Sequence, residues 1–328
     1  MKAIISGKYG GPETLELRVV ARPKLKPDEV LVRIHASSVN YGNIVLLRGK
    51  PFLARIAYGL KKPKFPIPGS DFAGAVQEVG ENVTEFQIGD EVYGDLSSSG
   101  WGAFAEYAAV PVNAITHKPS NLSFAEAAAV PMAGITALQA IRNQAKIEAG
   151  QKVLIQGASG GVGTFAIQIA KSFGAEVTAV VSSRNVAIAS ELGADHVIDY
   201  KKEKVTSRDQ LYDCIIGVNG SESISTYKQI LTPNGIFVHI GGGSTSKMIE
   251  TMFFGPLLSI TGKKKFHTFM HQPKREDLVW MRELLEAGKV KPVIDKSYAL
   301  SEVPDAIKYF EEGHSQGKVI ISMPYEGD

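Results

Sequence analysis

Two different hydrophobic patterns divide this chain. Near the N-terminus, short apolar runs bounded by glycine or proline predict β-strands, including a buried strand at residues 29–36. Residues 103–108 alternate with a period near two, which predicts a half-buried strand. From Lys152 onward, apolar strands alternate with helical segments, a pattern typical of βαβ units in a parallel sheet. We therefore expect an α/β protein with a β-rich N-terminal part.

The alternating region and the tail give the domain prediction. Strands are expected at residues 152–156, 176–181, 196–199, 213–218 and 236–241, and helices at 162–173, 186–192 and 221–231. Two amphipathic helices and a strand follow, at residues 276–287, 302–312 and 319–322. The tail is expected to return to the first domain. One predicted domain then contains residues 1–122 and 266–328, and the other contains residues 123–265.

Charge and cysteine content exclude several classes of function. The 36 Lys and Arg residues nearly balance the 34 Asp and Glu residues, so we expect no nucleic-acid partner. The single cysteine, Cys214, excludes an intrachain disulfide and zinc sites built from several cysteines. No apolar stretch has the length of a signal peptide or a membrane span, so we expect a cytoplasmic protein without a membrane partner. Residues 46–68, where lysines lie among aromatic and aliphatic side chains, are interpreted as a surface insertion or a lid.

A glycine-rich turn at residues 157–163 carries the most specific chemical signal. It follows a buried strand and opens a helix, and a second strand comes within about 30 residues, which is the context of a dinucleotide-binding turn. The turn lets the backbone approach a pyrophosphate, and the helix N-terminus supplies free N–H groups. The alternative is a tight turn that binds nothing. The residues predicted to contact the cofactor here are Ser159, Gly160, Gly161, Val162 and Gly163.

The end of the second strand indicates which dinucleotide is bound. An NAD site usually has an acidic residue there, whereas this chain has Ser182, Ser183 and Arg184. Hydroxyls and a guanidinium suit a 2′-phosphate, so the sequence predicts NADP(H). The alternative is that Arg184 is a solvated residue at the start of a helix. Turns at other strand ends should line the nicotinamide ribose and carboxamide, at Val218, Asn219, Ile240, Gly241 and Gly242.

Several motifs occur in one order along nearly the whole chain. They are Ser-Val-Asn at 38–40, Gly-Ser-Asp-Phe-Ala-Gly at 69–74, Gly-Asp-Glu-Val-Tyr-Gly at 89–94, the alanine-rich segment 127–137, the turn 157–163, Leu-Gly-Ala-Asp at 192–195 and Val-Ile-Asp-Tyr at 197–200. This arrangement resembles the medium-chain dehydrogenase/reductase superfamily, specifically its zinc-independent quinone oxidoreductase branch. The resemblance implies a Rossmann doubly wound parallel sheet and a GroES-like β-rich substrate domain made from both chain ends. It also implies a homodimer joined through the Rossmann sheets.

Zinc ligands of the alcohol dehydrogenases in this superfamily are missing here. The stretch that holds the first cysteine reads Ser-Ser-Val-Asn at 37–40, and the His-Glu position reads Ser70-Asp71. A catalytic site would lack its soft ligands, so the sequence predicts no metal. His267 and His271 are interpreted as loop or surface histidines.

The resemblance also implies roles for individual residues. Asn40 lies in the substrate-side motif and would donate a hydrogen bond to the acceptor oxygen. Tyr41 is either a hydrogen-bond or proton donor or a packed aromatic. Thr136 matches a residue beside the nicotinamide, and Tyr200 matches a tyrosine near the 2′-phosphate. Lys318 matches a position near the cofactor, with a surface lysine as the alternative.

Without zinc, no Lewis acid polarises a simple carbonyl, which favours conjugated acceptors. The sequence therefore predicts an NADPH-dependent enzyme that transfers hydride to quinones or α,β-unsaturated carbonyls. The lysines of residues 46–68 support an alternative, an enoyl-thioester reductase. A second alternative is a non-catalytic NADPH-binding sensor or interaction protein, because fold does not determine function.

Overall fold

The computed structural model describes residues 1–218, 222–241, 255, 259 and 262–323. The strands of the described residues are β1 Lys2–Ser6, β2 Leu15–Val19, β3 Glu29–Val39, β4 Asp71–Val79, β5 Glu91–Asp95, β6 Tyr107–Pro111, β7 Ile115–His117, β8 Lys152–Gln156, β9 Glu176–Val181, β10 His196–Asp199, β11 Tyr212–Val218, β12 Leu231–Ile240, β13 Lys265–Phe269, β14 Ile294–Ala299 and β15 Lys318–Ser322. The α-helices among them are α1 Tyr41–Arg48, α2 Ala54–Tyr58, α3 Phe124–Ala128, α4 Pro131–Leu138, α5 Gly161–Ser172, α6 Val186–Glu191, α7 Ile224–Ile230, α8 Arg275–Glu286 and α9 Val303–Glu311. A π-helical stretch at Gln139–Ala145 follows α4.

Chain contacts divide the molecule into two units. The first contains residues 1–133, 273–287 and 292–328, and the second contains residues 134–272 and 288–291. Residues 123–133 fall in the first unit because α3 packs against β3 and β4. Residues 266–272 fall in the second unit because β13 adds to the sheet of that unit. Residues 123–133, 266–272 and 288–291 are thus grouped differently from the predicted domains.

A six-stranded parallel sheet forms the centre of the second unit. Its order in the described residues is β10-β9-β8-β11-β12-β13, and every neighbouring pair is parallel. Strands buried on both faces read as continuous apolar runs, and Val153, Leu154 and Ile155 of β8 are fully buried. The order reverses beside β8, which is the Rossmann arrangement, and the predicted parallel sheet is confirmed.

The first unit is built on a mostly antiparallel sheet. Its order is β14-β15-β3-β4-β5-β7, with β6 also paired to β3, and β1 and β2 form a separate hairpin. β15 lies antiparallel to β3, with Val319 opposite Val39, so the C-terminal strand completes a sheet begun near the N-terminus. The predicted GroES-like β domain made from both chain ends is confirmed.

The predicted strand at residues 103–108 is wrong for its first four residues, because β6 begins only at Tyr107. The backbone N–H groups of Ala103 and Phe104 donate to the carbonyls of Gly69 and Pro68, which precede β4. Ala105 forms an isolated bridge with Ala3 of β1. Residues 103–105 are all buried, so the alternation in the sequence does not correspond to alternating burial here.

Within the described part of the chain, no helix is long and apolar enough to span a bilayer.

Candidate active site

The turn between β8 and α5 admits only glycine at two of its positions. Gly157 has a φ of +71°, and a Cβ there would lie 2.1 Å from the Val218 carbonyl oxygen. A Cβ on Gly163 would lie 2.2 Å from the Gly157 carbonyl oxygen. Contacts this short force backbone movement, so the two glycines let the helix start close to the strand end. Gly163 is buried, so its part is to allow this packing.

Among the residues that the structure describes, little crowds the first turn of α5. A Cβ on Gly160, the N-cap residue, would meet one described atom within 4 Å, the Gly157 carbonyl oxygen at 3.6 Å. Gly160 has no side chain to accept from the first N–H groups of the helix, so these donors are available to an anion at the positive end of the helix dipole. Ser159, Gly161 and Val162 are partly exposed beside it. This part of the chain fits the pyrophosphate of a dinucleotide.

The end of β9 carries the residues predicted to bind the 2′-phosphate. Ser182 is buried, whereas Ser183 and Arg184 are exposed in a short 3₁₀ turn. The side-chain amide of the buried Asn185 donates to the hydroxyls of Ser159 at 2.8 Å and of Ser182 at 3.2 Å. The structure thus connects the glycine-rich turn to the end of β9. The sequence analysis did not predict a role for Asn185, although this residue directly follows Ser182, Ser183 and Arg184, which were predicted to bind the cofactor.

Asp199 is a second residue that the sequence analysis missed. It ends β10 directly opposite Val181, so an acid lies next to the end of β9 although β9 itself ends without one. The Ser183 hydroxyl bonds to the Asp199 carboxylate and is the main reason that the pKa of this group lies below its usual range. Lys202 Nζ lies 3.6 Å away. The carboxylate is therefore ionised and has its own donors, and Tyr200 follows it in an exposed position.

Other predicted cofactor contacts lie at the same edge of the sheet. Val218 and Ile240 end β11 and β12 and are buried, and Gly241 is exposed behind Ile240. Thr136 is buried in α4 and belongs to the same unit. Asn219 and Gly242 lie outside the described residues.

Asn40 and Tyr41 lie where β3 passes into α1. Asn40 is buried and is the N-cap of the helix, and its backbone N–H donates to the Asn43 side-chain oxygen at 2.7 Å. Asn43 therefore has a capping function. Tyr41 is 41% exposed, so its side chain is partly covered, and its role as a donor stays a prediction.

Lys318 is buried, with 3% of its surface exposed, so the surface-lysine alternative is wrong. Its ammonium donates to the Asn40 side-chain oxygen and, at 3.3 Å, to the Val39 carbonyl. Its Nζ also lies 3.6 Å from a carboxylate oxygen of Asp71. Since an ammonium only donates, the Asn40 atom facing Lys318 is the oxygen, and its NH₂ group points away. One N–H of that NH₂ group hydrogen-bonds to the Asp71 carboxylate and lowers its pKa. The other makes only a long, 3.5 Å contact with the Ser70 hydroxyl, so this second N–H is the one that a ligand could accept from.

Asp71 is the centre of this buried group. Its carboxylate accepts from the hydroxyls of Ser38 and Ser70, at 3.2 and 3.3 Å, and from the Met132 backbone N–H at 3.2 Å. Burial raises the pKa of Asp71 from 3.8 to about 6, and the Lys318 ammonium opposes that rise. Burial also lowers the pKa of Lys318, which Asp71 opposes. Each of the two residues is the first residue of its strand, so the sequence signal was a charge at the start of an apolar run.

The donor set at this place does not fit zinc. Ser38, Ser70 and Asp71 supply only oxygen atoms, and the Asp71 carboxylate is already paired with Lys318. The single cysteine, Cys214, is buried in β11 of the other unit, and burial raises the pKa of its thiol. Within the part of the chain that the structure describes, no three His, Cys, Asp or Glu side chains are grouped to hold a metal ion.

Removing Lys318 should destabilise the protein in a pH-dependent way. Folding raises the pKa of Asp71, so the favourable contribution of this group is present below its unfolded value and is lost as pH rises through about 6. Lys318→Met removes the cation that opposes this rise and leaves an unpaired buried charge. We expect a loss of about 3–5 kcal/mol in unfolding free energy near pH 8 and a clearly smaller loss near pH 5. Urea denaturation at both pH values measures this.

The matched control is the double variant Asp71→Asn/Lys318→Met. It removes both charges, so its loss of stability should be nearly equal at the two pH values. An equal loss for Lys318→Met alone at both values would contradict the assignment of Asp71 as the titrating partner.

Two family models match the chain. One, described as an alcohol dehydrogenase GroES-like domain, matches residues 26–120. The other, described as a zinc-binding dehydrogenase, matches residues 192–321. The first lies within the β-rich unit, and the second begins inside the parallel-sheet unit and runs into the C-terminal strand.

Relatives and solved structures match over nearly the full length. The chloroplast envelope quinone oxidoreductase homolog of Arabidopsis thaliana is 36% identical, over 98% of each chain. The human mitochondrial NAD(P)H oxidoreductase RTN4IP1 is 34% identical, over 98% of this chain and 89% of its own. The tomato (Solanum lycopersicum) 2-methylene-furan-3-one reductase is 35% identical, over 98% and 79%. The structure of the quinone oxidoreductase from Coxiella burnetii superposes with a TM-score of 0.86 at 30% identity, over 99% of each chain. The chain therefore belongs to the medium-chain dehydrogenase/reductase superfamily, in its quinone oxidoreductase-like branch.

Proposed function

We propose that this protein is an NADPH-dependent reductase of quinones or α,β-unsaturated carbonyls that works without zinc. The observation that carries the proposal is the open glycine cradle at the start of α5, followed by Ser183 and Arg184 at the end of β9. The relatives support the class of reaction, because one is named a quinone oxidoreductase homolog and another a reductase of a 2-methylene-furan-3-one. The latter compound is itself an α,β-unsaturated ketone.

The residues of this chain have separate tasks in that reaction. When bound, the reduced nicotinamide supplies the hydride. The backbone N–H groups at the start of α5 hold the pyrophosphate, and Arg184 and Tyr200 hold the 2′-phosphate. The NH₂ group of Asn40, oriented by Lys318, donates to the acceptor oxygen where negative charge develops. Tyr41 supplies a hydroxyl from an exposed position beside it. The homodimer and the cytoplasmic location remain predictions from the sequence.

An activity panel tests the proposal directly. We expect NADPH oxidation with a quinone and with a free enone, and slower oxidation with crotonyl-CoA at equal concentration. Faster turnover of the thioester would favour the enoyl-thioester reductase instead. Tight NADPH binding, seen by fluorescence, with no oxidation across the panel would contradict an enzyme and favour the sensor.

The 2′-phosphate assignment predicts a selective loss in an Arg184 variant. Arg184→Glu replaces a positive by a negative charge in an exposed position, so NADPH affinity should fall about ten-fold or more. NADH lacks the phosphate and serves as the matched control ligand, with its affinity little changed. Fluorescence titration of both cofactors measures the difference. Equal affinity of the unaltered protein for NADH and NADPH would overturn the preference for NADP(H).

The hydroxyl of Tyr41 has a test of its own. Tyr41→Phe removes only the donor, so kcat with an enone should fall at least about ten-fold if the hydroxyl donates in the transition state. NADPH affinity and thermal stability should stay unchanged, because the side chain lies at the surface of its unit. Unchanged enone turnover would remove Tyr41 from the reaction and leave Asn40 as the donor.

A further inference from the structure

The segment Lys50–Lys64 presents apolar side chains to solvent on a well-anchored support. Phe52, Leu53, Ile56 and Leu60 are each between 64% and 73% exposed. Isolated exposed apolar residues are common, but four within nine positions are not a usual surface feature. These four side chains are called the apolar patch below.

The support under the apolar patch is held by specific contacts. The Arg55 guanidinium lies over the Tyr9 ring and donates to the Gly49 carbonyl at 3.1 Å. The Tyr58 ring packs edge-on against Trp101. Arg55 and Tyr58, three positions apart, thus face the protein. Leu53 and Ile56 lie on the other side of the same short helix. The patch is therefore turned outward by the fold.

The charge around the apolar patch has one sign. Between Tyr41 and Ser70 the sequence contains six basic residues and no Asp or Glu. Arg48 is paired with Glu311, and Arg55 is used in the support. The remaining four, Lys50, Lys61, Lys62 and Lys64, are exposed, and the ion pairs recorded for the described residues do not include them.

We propose that the apolar patch and its four lysines form a docking surface for an anionic lipid bilayer. The exposed aliphatic and aromatic side chains would enter the boundary of the acyl chains, and the flanking lysines would contact the phosphate headgroups. A soluble phosphate carrier would use the lysines but has no need of the apolar side chains. A stable protein interface buries about 800 Å² on each partner, from 20–30 residues, which exceeds these four side chains and their neighbours.

This surface binds a bilayer without crossing it, and it replaces the expectation that the protein has no membrane partner. Binding through lysines is weakened by salt, because counter-ions screen exposed charges beyond about 10 Å at 0.1 M. Binding through the apolar patch is weakened when its side chains become polar. The proposal therefore requires both the lysines and the apolar patch, and substitutions can remove either one without the other.

Co-sedimentation of the full chain with vesicles tests the proposal. Vesicles contain phosphatidylcholine alone or with about 30% phosphatidylserine. We expect binding to the anionic vesicles that is at least about ten-fold stronger than to the neutral ones and that falls about ten-fold between 0.1 and 0.5 M salt. No binding to anionic vesicles, or equal binding to both kinds, would overturn the proposal.

Substitutions in the apolar patch and at the lysines test whether this surface is the one that binds the vesicles. Leu53→Ser/Ile56→Ser and, separately, Lys61→Ser/Lys62→Ser should each lower vesicle affinity about ten-fold. Ile88→Ser is the matched control, since Ile88 is 67% exposed and lies outside the segment. It should change affinity less than about two-fold. All the changed side chains are exposed, so thermal midpoints should agree.

The remaining outcomes also decide the question. Vesicle binding that survives in both double variants would overturn this surface as the docking site. Sedimentation equilibrium without vesicles is run alongside. A patch variant that lowers the oligomeric mass while the unaltered protein ignores vesicles would show that a second copy of the chain covers the patch, contrary to the proposal.

Discussion

Lys318 and Asp71 form a buried ion pair on which the geometry of the β-rich unit depends. The ammonium reaches Asn40 across 278 positions of sequence. The carboxylate accepts from Ser38 in β3, from Ser70 just before β4 and from the start of α4. Neither charge is tolerable there by itself, because an unpaired buried ion costs several kcal/mol. The C-terminal strand must therefore lie beside β3 before the site at Asn40 exists.

This pair also explains why an asparagine can act as an oriented donor without a metal. The ammonium occupies the amide oxygen, so the NH₂ group has a fixed direction. In a zinc-dependent enzyme a cation polarises the substrate oxygen directly, whereas here the protein's own cation is one residue removed from the proposed substrate position. The weaker electrophilic assistance suits acceptors whose conjugated system already accepts hydride.

In the proposed cofactor site, backbone groups would make most of the contacts. Gly157 and Gly163 are required by contacts near 2 Å, and the helix N-terminus provides donors that need no side chain. At the end of β9 the side chains matter, because the Ser183 hydroxyl bonds to the ionised Asp199 carboxylate on the next strand. Sequence reasoning that considered only the end of β9 did not include this acid.

The sequence by itself determined the parallel sheet, the glycine-rich turn and the lack of zinc ligands. Apolar runs indicate the sheet, glycine spacing indicates the turn, and the cysteine count excludes the zinc ligands, and all three can be read without knowing which distant segments meet. It did not determine the extended segment before β6, whose backbone bonds to a loop, or the burial of Lys318, which is locally an ordinary lysine before an apolar strand. Only the tertiary structure placed Asp71, Asn40 and Lys318 together and turned Leu53 and Ile56 outward. The reason is physical: the free energy of a charge or an apolar side chain depends on what surrounds it, and those surroundings come from segments far apart in the chain.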